Sequence, residues 1–178
     1  MRLPREFAPL QAQELASAFT SAGVEYLFIG KSGAILLGYP GTTQDVDLFL
    51  PNDPPNCEKV ILALDRLGFE LDDSLQKAIR DRRDFVQIKS GPFDVDLVFA
   101  PDGIKDFATA RQRRVLHDGY PVASLRDIIA SKRASGREKD ILELELLEDF
   151  RREYERAHAP PLRSATEIAS QPSQAPPD

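Results

Sequence analysis

The chain of 178 residues is long enough for one domain with a sizeable core, because domains of about 100–200 residues are the norm. Its formal net charge of -6 argues against a surface that coats nucleic acid nonspecifically. The single cysteine, Cys57, excludes an internal disulfide and a cysteine metal cluster, and it favours a reducing cytoplasm. No stretch approaches the roughly 18 apolar residues of a membrane span, so no membrane partner is expected.

Helical and strand-like patterns alternate through the first half of the chain. Helices are indicated by apolar residues three and four positions apart, and strands by short apolar runs bounded by turn-forming residues. In chain order the predicted elements are a helix over 10–22, a buried strand over 24–29, a tight turn over 30–33, a short helix over 34–37, a strand over 45–50, and a helix from about 56 to 68.

The second half combines a predicted hairpin with a helical portion. In chain order the predicted elements are strands over 84–89 and 93–99, a short helix over 104–111, an extended piece over 120–123, a helix over 124–136 and a last helix over about 138–158. Ser124 with Asp127 three residues later is typical of a helix start. Residues 159–178 are mostly Pro, Ala, Ser and Gln, so we predict a disordered tail there.

Two acidic triplets stand within strand-like runs, Asp45-Val46-Asp47 and Asp94-Val95-Asp96. Residues i and i+2 of a strand point to the same face, so Asp45 and Asp47 are expected to project side by side. A divalent cation removes the repulsion between them, and oxygen-only ligands suit Mg²⁺ (or Mn²⁺). A third carboxylate from the second triplet would allow a two-ion site. A solvated sheet face is the alternative explanation for both pairs.

Three segments, in this order, resemble the nucleotidyltransferase-fold superfamily, the DNA-polymerase-beta-like enzymes. They are Phe28-Ile29-Gly30-Lys31-Ser32, Thr43-Gln44-Asp45-Val46-Asp47-Leu48 and Val95-Asp96-Leu97. The family pattern is a strand ending in Gly-Gly or Gly-Ser, a short helix, an acidic pair on the next strand and a third acidic residue on a later strand. The interval from Gly30 to Asp45 and the turn at 38–40 are similar to the small prokaryotic branch of stand-alone and toxin–antitoxin nucleotidyltransferases.

This resemblance covers roughly residues 10–150 and implies a fold. The expected fold class is α/β, with a small mixed β-sheet flanked by helices and a helical C-terminal portion. The catalytic core is expected over residues 1–123. A helical segment over 124–158 is expected to pack on that core, because residues 124–140 resemble the helices that close this branch.

The resemblance also implies the reaction and the residues that perform it. A nucleoside triphosphate would donate a nucleotidyl group to a hydroxyl of RNA, protein or a small molecule, with release of pyrophosphate. The implied catalytic and metal-binding residues are Asp45, Asp47 and Asp96. The implied nucleotide-binding residues are Gly30, Lys31, Ser32 and Lys132. Asp94 competes with Asp96 for the third position, and the apolar–Asp–apolar–apolar pattern of the family favours Asp96.

The sequence departs from the family pattern at two positions. Lys31 replaces the second glycine, where it either binds phosphate or blocks the nucleotide. Gly41 stands where this branch often has arginine. The alternative function is therefore a catalytically silent binding module, or a partner subunit of a two-component, toxin–antitoxin-like system. A P-loop around Gly30-Lys31-Ser32 is excluded, because Glu25 stands where that motif requires glycine.

Overall fold

The computed structural model describes residues 8–159, so almost all of the predicted disordered tail lies outside the described residues. Its helices are α1 (Pro9–Ala22), α2 (Gly30–Leu36), α3 (Pro54–Arg66), α4 (Asp73–Arg80), α5 (Phe107–Gln112), α6 (Leu125–Ser135) and α7 (Glu138–Ala157). Its strands are β1 (Leu27–Ile29), β2 (Asp45–Phe49), β3 (Phe85–Ile88), β4 (Asp94–Val98), β5 (Val115–His117) and β6 (Tyr120–Val122). None of the described helices is long and apolar enough to cross a membrane.

The strands form one mixed sheet in the order β3-β4-β2-β1-β6-β5. Strand β2 is parallel to β4, and β1 is parallel to β6, whereas the other neighbours are antiparallel. The mixed sheet, flanked by helices and followed by a helical C-terminal portion, confirms the predicted α/β class. In the β2–β4 register, Asp45 lies beside Asp94 and Asp47 lies beside Asp96. Alternation along both strands therefore places all four carboxylates on one face of the sheet.

The opposite face of β2 and β4 supplies the hydrophobic core. Val46, Leu48, Val95 and Leu97 are fully buried there. Burying a side chain of this size contributes about 1.5–3 kcal/mol, so these alternating positions fix the register of both strands. The acidic face is consequently set by the apolar residues between the acids.

Helix α6 packs against both α2 and α7, which places the C-terminal helices next to the first βα unit. The left-handed Gly136 separates α6 from α7, as the sequence predicts. The predicted boundary between core and helical segment at residue 123 stays a prediction.

Several element boundaries differ from the sequence prediction; β1, for example, begins at Leu27 instead of residue 24. The expected tight turn over 30–33 is wrong, because α2 begins at Gly30 and a single residue with φ of 64° makes the whole turn. Helix α3 begins at Pro54, where the side chain of Asp53 accepts a hydrogen bond from the Asn56 N–H. The predicted helix over 104–111 is Phe107–Gln112, with Asp106 as its cap.

Two elements were not predicted from the sequence. Helix α4 is short and mostly polar, but its apolar residues Leu75, Ala78 and Ile79 stand at helical spacing, a signal that the sequence prediction did not use. Strand β5 pairs with β6 through a two-residue turn at Asp118-Gly119, both of which have positive φ. The Asp-Gly pair is a strong hairpin signal, and it is the feature that reveals β5 in the sequence.

Candidate active site

The carboxylates of Asp45, Asp47 and Asp96 line one cavity of about 610 Å³, a volume in the usual range for small-molecule sites. Parallel pairing of β2 with β4 brings Asp47 directly beside Asp96. Asp96 lines the cavity, whereas Asp94 is not among the described residues of its lining. The geometry thus gives Asp96 and Asp94 different surroundings, although both lie on the same face of the strand.

Gly30 allows the Asp47 carboxylate to lie against the start of α2. A Cβ at Gly30 would lie 2.5 Å from Oδ2 of Asp47, and the φ of 64° is a conformation that side chains other than glycine rarely adopt. Any larger residue would displace the carboxylate. This glycine is therefore required both by the backbone turn and by the close approach of Asp47.

Ser32 is fully buried, and its hydroxyl connects α2 to β2. The hydroxyl donates a hydrogen bond to the carbonyl of Ile29 at 3.1 Å and accepts one from the Asp47 N–H at 3.0 Å. Both the hydrogen and a lone pair of Oγ are thus engaged within the fold. From the sequence, the Ser32 hydroxyl was expected to contact the nucleotide. In the structure it hydrogen-bonds the backbone of Ile29 and Asp47 and so fixes the position of Asp47.

Burial and neighbouring carboxylates destabilise the charged forms of Asp47 and Asp96. Burial raises the pKa of Asp47 to about 8, with the charges of Asp96 and Asp45 adding to the effect. Burial raises the pKa of Asp96 to about 6, with Asp45 as the next contribution. Asp96 is 6% exposed, and its Oδ1 has no hydrogen-bond partner in the described structure. Buried polar atoms are nearly always satisfied, so this oxygen indicates a missing partner.

Lys31 lines the same cavity and is half-buried. Its Nζ donates a hydrogen bond to Oε1 of Glu143 at 2.7 Å, with both side chains 27% exposed. A Cβ at Gly41 would lie 3.3 Å from Cε of Lys31, so the absence of a side chain at Gly41 leaves room for the lysine. The two departures from the family pattern are therefore neighbours in space.

Lys132 is the second lysine of the cavity wall, and it is buried. Its Nζ lies 3.1 Å from Oδ1 of Asp140 and 3.6 Å from Oε2 of Glu143. Asp140 is 1% exposed and also accepts hydrogen bonds from Ser135 and Arg137. Asp140 therefore holds Lys132 at the cavity wall, and Glu143 lies between the two lysines.

Glu143 was not identified from the sequence. It stands among several glutamates of α7, and no local pattern separates it from its exposed neighbour Glu145. Its only signal is its position three residues after Asp140, which places both side chains on one helix face. Its pairing with Lys31 across 112 positions is a tertiary contact.

A ready-made metal site is not present among residues 8–159, because no group of three His, Cys, Asp or Glu side chains there is arranged to hold an ion. The predicted ligands Asp45, Asp47 and Asp96 nevertheless line one cavity. Their assignment as metal ligands, and that of Gly30, Lys31, Ser32 and Lys132 as nucleotide-binding residues, stays a prediction.

Solved structures of nucleotidyltransferases share this architecture. The lincosamide antibiotic adenylyltransferase LnuA, in its lincomycin-bound crystal structure, is 16% identical with a TM-score of 0.58, over 81% of this chain and 98% of that chain. The solution structure of the antibiotic-resistance factor ANT(2'')-Ia is 17% identical with a TM-score of 0.53, over 86% and 95%. The crystal structure of ANT(2'')-Ia in complex with adenylyl-2''-tobramycin is 14% identical with a TM-score of 0.52, over 84% and 98%.

Comparison with protein-family models and with curated protein sequences finds no match. The assignment of the fold therefore depends on the three-dimensional likeness. These neighbours share the overall fold of this chain over more than four fifths of its length. The chain has the nucleotidyltransferase fold.

Proposed function

We propose that the protein is a metal-dependent nucleotidyltransferase, which moves a nucleotidyl group from a nucleoside triphosphate to an acceptor hydroxyl and releases pyrophosphate. The observation that carries this proposal is the meeting of Asp45, Asp47 and Asp96 in one cavity whose wall carries Lys31 and Lys132. Acids that repel one another have no structural value on a sheet. The likeness to nucleotidyltransferases supports the same reaction class.

The three carboxylates are suitable ligands for Mg²⁺ or Mn²⁺. Asp45, Asp47 and Asp96 would hold the ion, because carboxylate oxygens are the ligands that these cations prefer. The unpartnered Oδ1 of Asp96 and the raised pKa values of Asp47 and Asp96 are the properties of carboxylates that lack a cation. A bound ion would neutralise charge on the phosphates during in-line displacement.

Asp96 is the residue that we assign to the acceptor proton. It lines the cavity, and its buried Oδ1 is free to accept a hydrogen bond from a hydroxyl. Burial and the neighbouring Asp45 raise its pKa to about 6. A base whose pKa lies near the working pH is well suited to proton transfer. Asp96 would thus take the proton as the acceptor oxygen attacks the α-phosphorus.

The two lysines are assigned to the triphosphate. Lys31 from α2 and Lys132 from α6 reach the same carboxylate, Glu143, from two separate elements. Two ammonium groups that already bind one carboxylate can also bind a negatively charged phosphate group. We therefore assign Lys31 to binding, and the test that separates binding from blocking is given in the Discussion.

A small molecule is the acceptor that the comparisons favour. One neighbour is described as a lincosamide antibiotic adenylyltransferase, and another is bound to adenylyl-2''-tobramycin. We extend a small-molecule acceptor to this chain on that ground. An RNA or protein acceptor, a partner protein of a toxin–antitoxin-like system and a cytoplasmic location stay predictions from the sequence.

Labelled nucleotides test the reaction directly. The protein is incubated with Mg²⁺, each α-labelled nucleoside triphosphate and a small-molecule fraction of cell extract, and labelled product and pyrophosphate are measured. We expect both from the wild type and neither from Asp45→Asn combined with Asp47→Asn. Nucleotide binding without transfer in every fraction would favour the silent binding module instead.

A further inference from the structure

We propose that two copies of this chain associate through the outer face of α7, with the two helices antiparallel. The outer face of α7 is the surface formed by Glu138, Lys139, Leu142, Leu146, Asp149 and Arg152. The inference goes beyond the proposed function, because it concerns contact between copies and not the reaction in the cavity. It stands whether or not the cavity transfers nucleotides.

Exposed apolar side chains concentrate on α7. Of the seven large apolar side chains that are exposed within residues 8–159, three lie on this helix: Ile141, Leu142 and Leu146. Leu142 is 75% exposed and Leu146 is 60% exposed, and residues four positions apart lie on the same side of a helix. The other four are distributed over four different elements. Single exposed apolar residues are ordinary on a protein surface, whereas a group on one helix indicates a contact surface.

Within residues 8–159, the opposite side of α7 holds the helix on the molecule. Leu147 is fully buried, and the ring centroids of Phe150 and Tyr39 are 5.6 Å apart. Asp140, on the same buried side, binds Lys132. The exposed leucines of the outer face therefore remain available for a second molecule.

The charges of the outer face favour an antiparallel second copy. In an antiparallel pair, three residues towards the N-terminus of one helix correspond to three residues towards the C-terminus of the other. When Leu142 of one copy faces Leu146 of the other, Lys139 therefore faces Asp149. A parallel pair would instead bring each charge against the same charge of the second copy, and like charges repel one another. The outer face is thus complementary to itself about a two-fold axis, as an isologous contact requires.

Glu138 and Arg152 extend the same charge pattern. In this register Glu138 of one copy lies beside Arg152 of the other. Asp149 and Arg152 form an exposed ion pair on their own helix. The side chains of Glu138 and Lys139 have no ion-pair or hydrogen-bond partner in the described part of the chain. Each end of the contact would thus bring together two acids and two bases from different copies. Lys139 also lines the cavity, so Asp149 of the second copy would lie at the cavity rim.

The association is expected to be weak. Helix α7 has 20 residues and so spans about 30 Å. One face of such a helix supplies less area than the roughly 800 Å² per partner of a standard interface. The Glu145 side chains of the two copies would also lie near each other across the two-fold axis, and they repel one another. We therefore expect a dissociation constant of about 10–100 µM.

Sedimentation equilibrium of the full chain at about 5–500 µM measures the association. We expect the wild type to pass from monomer to dimer over this range. Leu142→Ser with Leu146→Ser should remain monomeric. The matched control is Leu10→Ser with Leu116→Ser, two leucines that are each 63% exposed on other elements, and it should associate as the wild type does. Thermal unfolding of every variant shows whether it is folded.

Charge reversal tests the register of the two helices. Lys139→Glu alone and Asp149→Lys alone should each weaken the dimer about tenfold, because two attractive contacts become repulsive. The double variant should recover most of the wild-type affinity. Positions 139 and 149 lie about 15 Å apart along one helix, so this recovery reports contact between copies.

A wild type that is monomeric up to about 500 µM would overturn the proposal. That result includes the case in which residues 160–178 or another protein cover the outer face. Dimerisation that survives the substitution of Leu142 and Leu146 would locate the contact elsewhere and would overturn it as well. A double charge variant that associates no more tightly than the two single variants would exclude the proposed antiparallel contact.

Discussion

Lys31 and Glu143 lie 112 positions apart in the sequence, yet Nζ of the lysine is 2.7 Å from Oε1 of the glutamate. The contact joins α2 to α7 at the cavity wall. The same glutamate lies 3.6 Å from Lys132, so one carboxylate is shared between two cations. Both lysines lower the pKa of Glu143 by hydrogen bonding and charge, against the effect of burial. In the proposed mechanism a phosphate group takes the place of this carboxylate.

Glu143→Gln is therefore expected to tighten the binding of inorganic triphosphate. The neutral amide no longer competes for the lysines, and loss of a partly exposed charge contact of up to 1 kcal/mol corresponds to about fivefold in affinity. Isothermal titration calorimetry measures the change. Glu145→Gln, an exposed neighbour on the same helix, is the matched control. Weaker binding in Glu143→Gln would show that the glutamate positions the lysines instead of competing for them.

Two substitutions at Lys31 separate binding from blocking. If the lysine binds phosphate, both Lys31→Gly and Lys31→Met weaken nucleotide binding, because a charge-assisted contact is lost. If the side chain blocks the site, Lys31→Gly opens the cavity and Lys31→Met, of similar length, does not. We expect both variants to be weaker by calorimetry. Thermal unfolding is recorded alongside, because glycine within a helix costs about 1 kcal/mol.

Gly30→Ala is expected to lower both stability and metal binding. The new Cβ would meet Oδ2 of Asp47 at 2.5 Å, in addition to the strain of φ at 64°. The strain alone costs about 1–2 kcal/mol. Gly136→Ala has the same φ of 64° and no atom within 4 Å of its Cβ, so it reports the strain without the collision. Chemical denaturation of the two variants in EDTA should show a larger loss for Gly30→Ala.

Stability of the metal-free protein should fall as pH rises from about 4 to about 8. The pKa of folded Asp47 is raised to about 8, so the folded state prefers the protonated carboxyl and loses stability as that proton leaves. Asp47→Asn removes this cost and should unfold at a higher temperature than wild type at pH 8, with the difference shrinking towards pH 5. Thermal melts in EDTA measure this, with Asp94→Asn as control. Parallel pH profiles for wild type and Asp47→Asn would contradict the prediction.

Asp96→Asn is expected to bind nucleotide nearly as well as wild type and to transfer it poorly. A residue that acts in the transition state lowers kcat and kcat/KM together. Removal of a general base typically costs about 10²–10⁴ in rate. Asp94→Asn should have a milder effect, because Asp94 is not among the described cavity-lining residues. A larger loss of transfer in Asp94→Asn than in Asp96→Asn would reverse the assignment.

The acidic face of the sheet was predictable because its cause is local. Alternation within each strand decides which side Asp45 and Asp47 occupy, and the apolar residues between them decide which side is buried. The fold class followed from the same patterns and from the resemblance. The Asp118-Gly119 turn carried an equally local signal for β5, which the sequence prediction did not use.

The remaining features of the cavity depend on contacts between distant segments. The roles of Ser32 and Glu143 follow from where α2 meets β2 and α7, and no spacing in the sequence encodes these approaches. The proximity of Gly41 to Lys31 is of the same kind. Helix α4 was missed for another reason: it has only eight residues, and the helical spacing of Leu75, Ala78 and Ile79, which does indicate it, was not used.

The parallel pairing of β2 with β4 has a consequence for the order of folding. The antiparallel β3–β4 pair closes a short loop, whereas Asp47 and Asp96 meet only after the long segment between them has been brought together. Closing longer loops costs more chain entropy, so such contacts form later. We therefore expect hydrogen-exchange protection to develop in β3 and β4 before it develops in β2. A folding chain would therefore lack the complete cluster of Asp45, Asp47 and Asp96 until β2 has paired with β4.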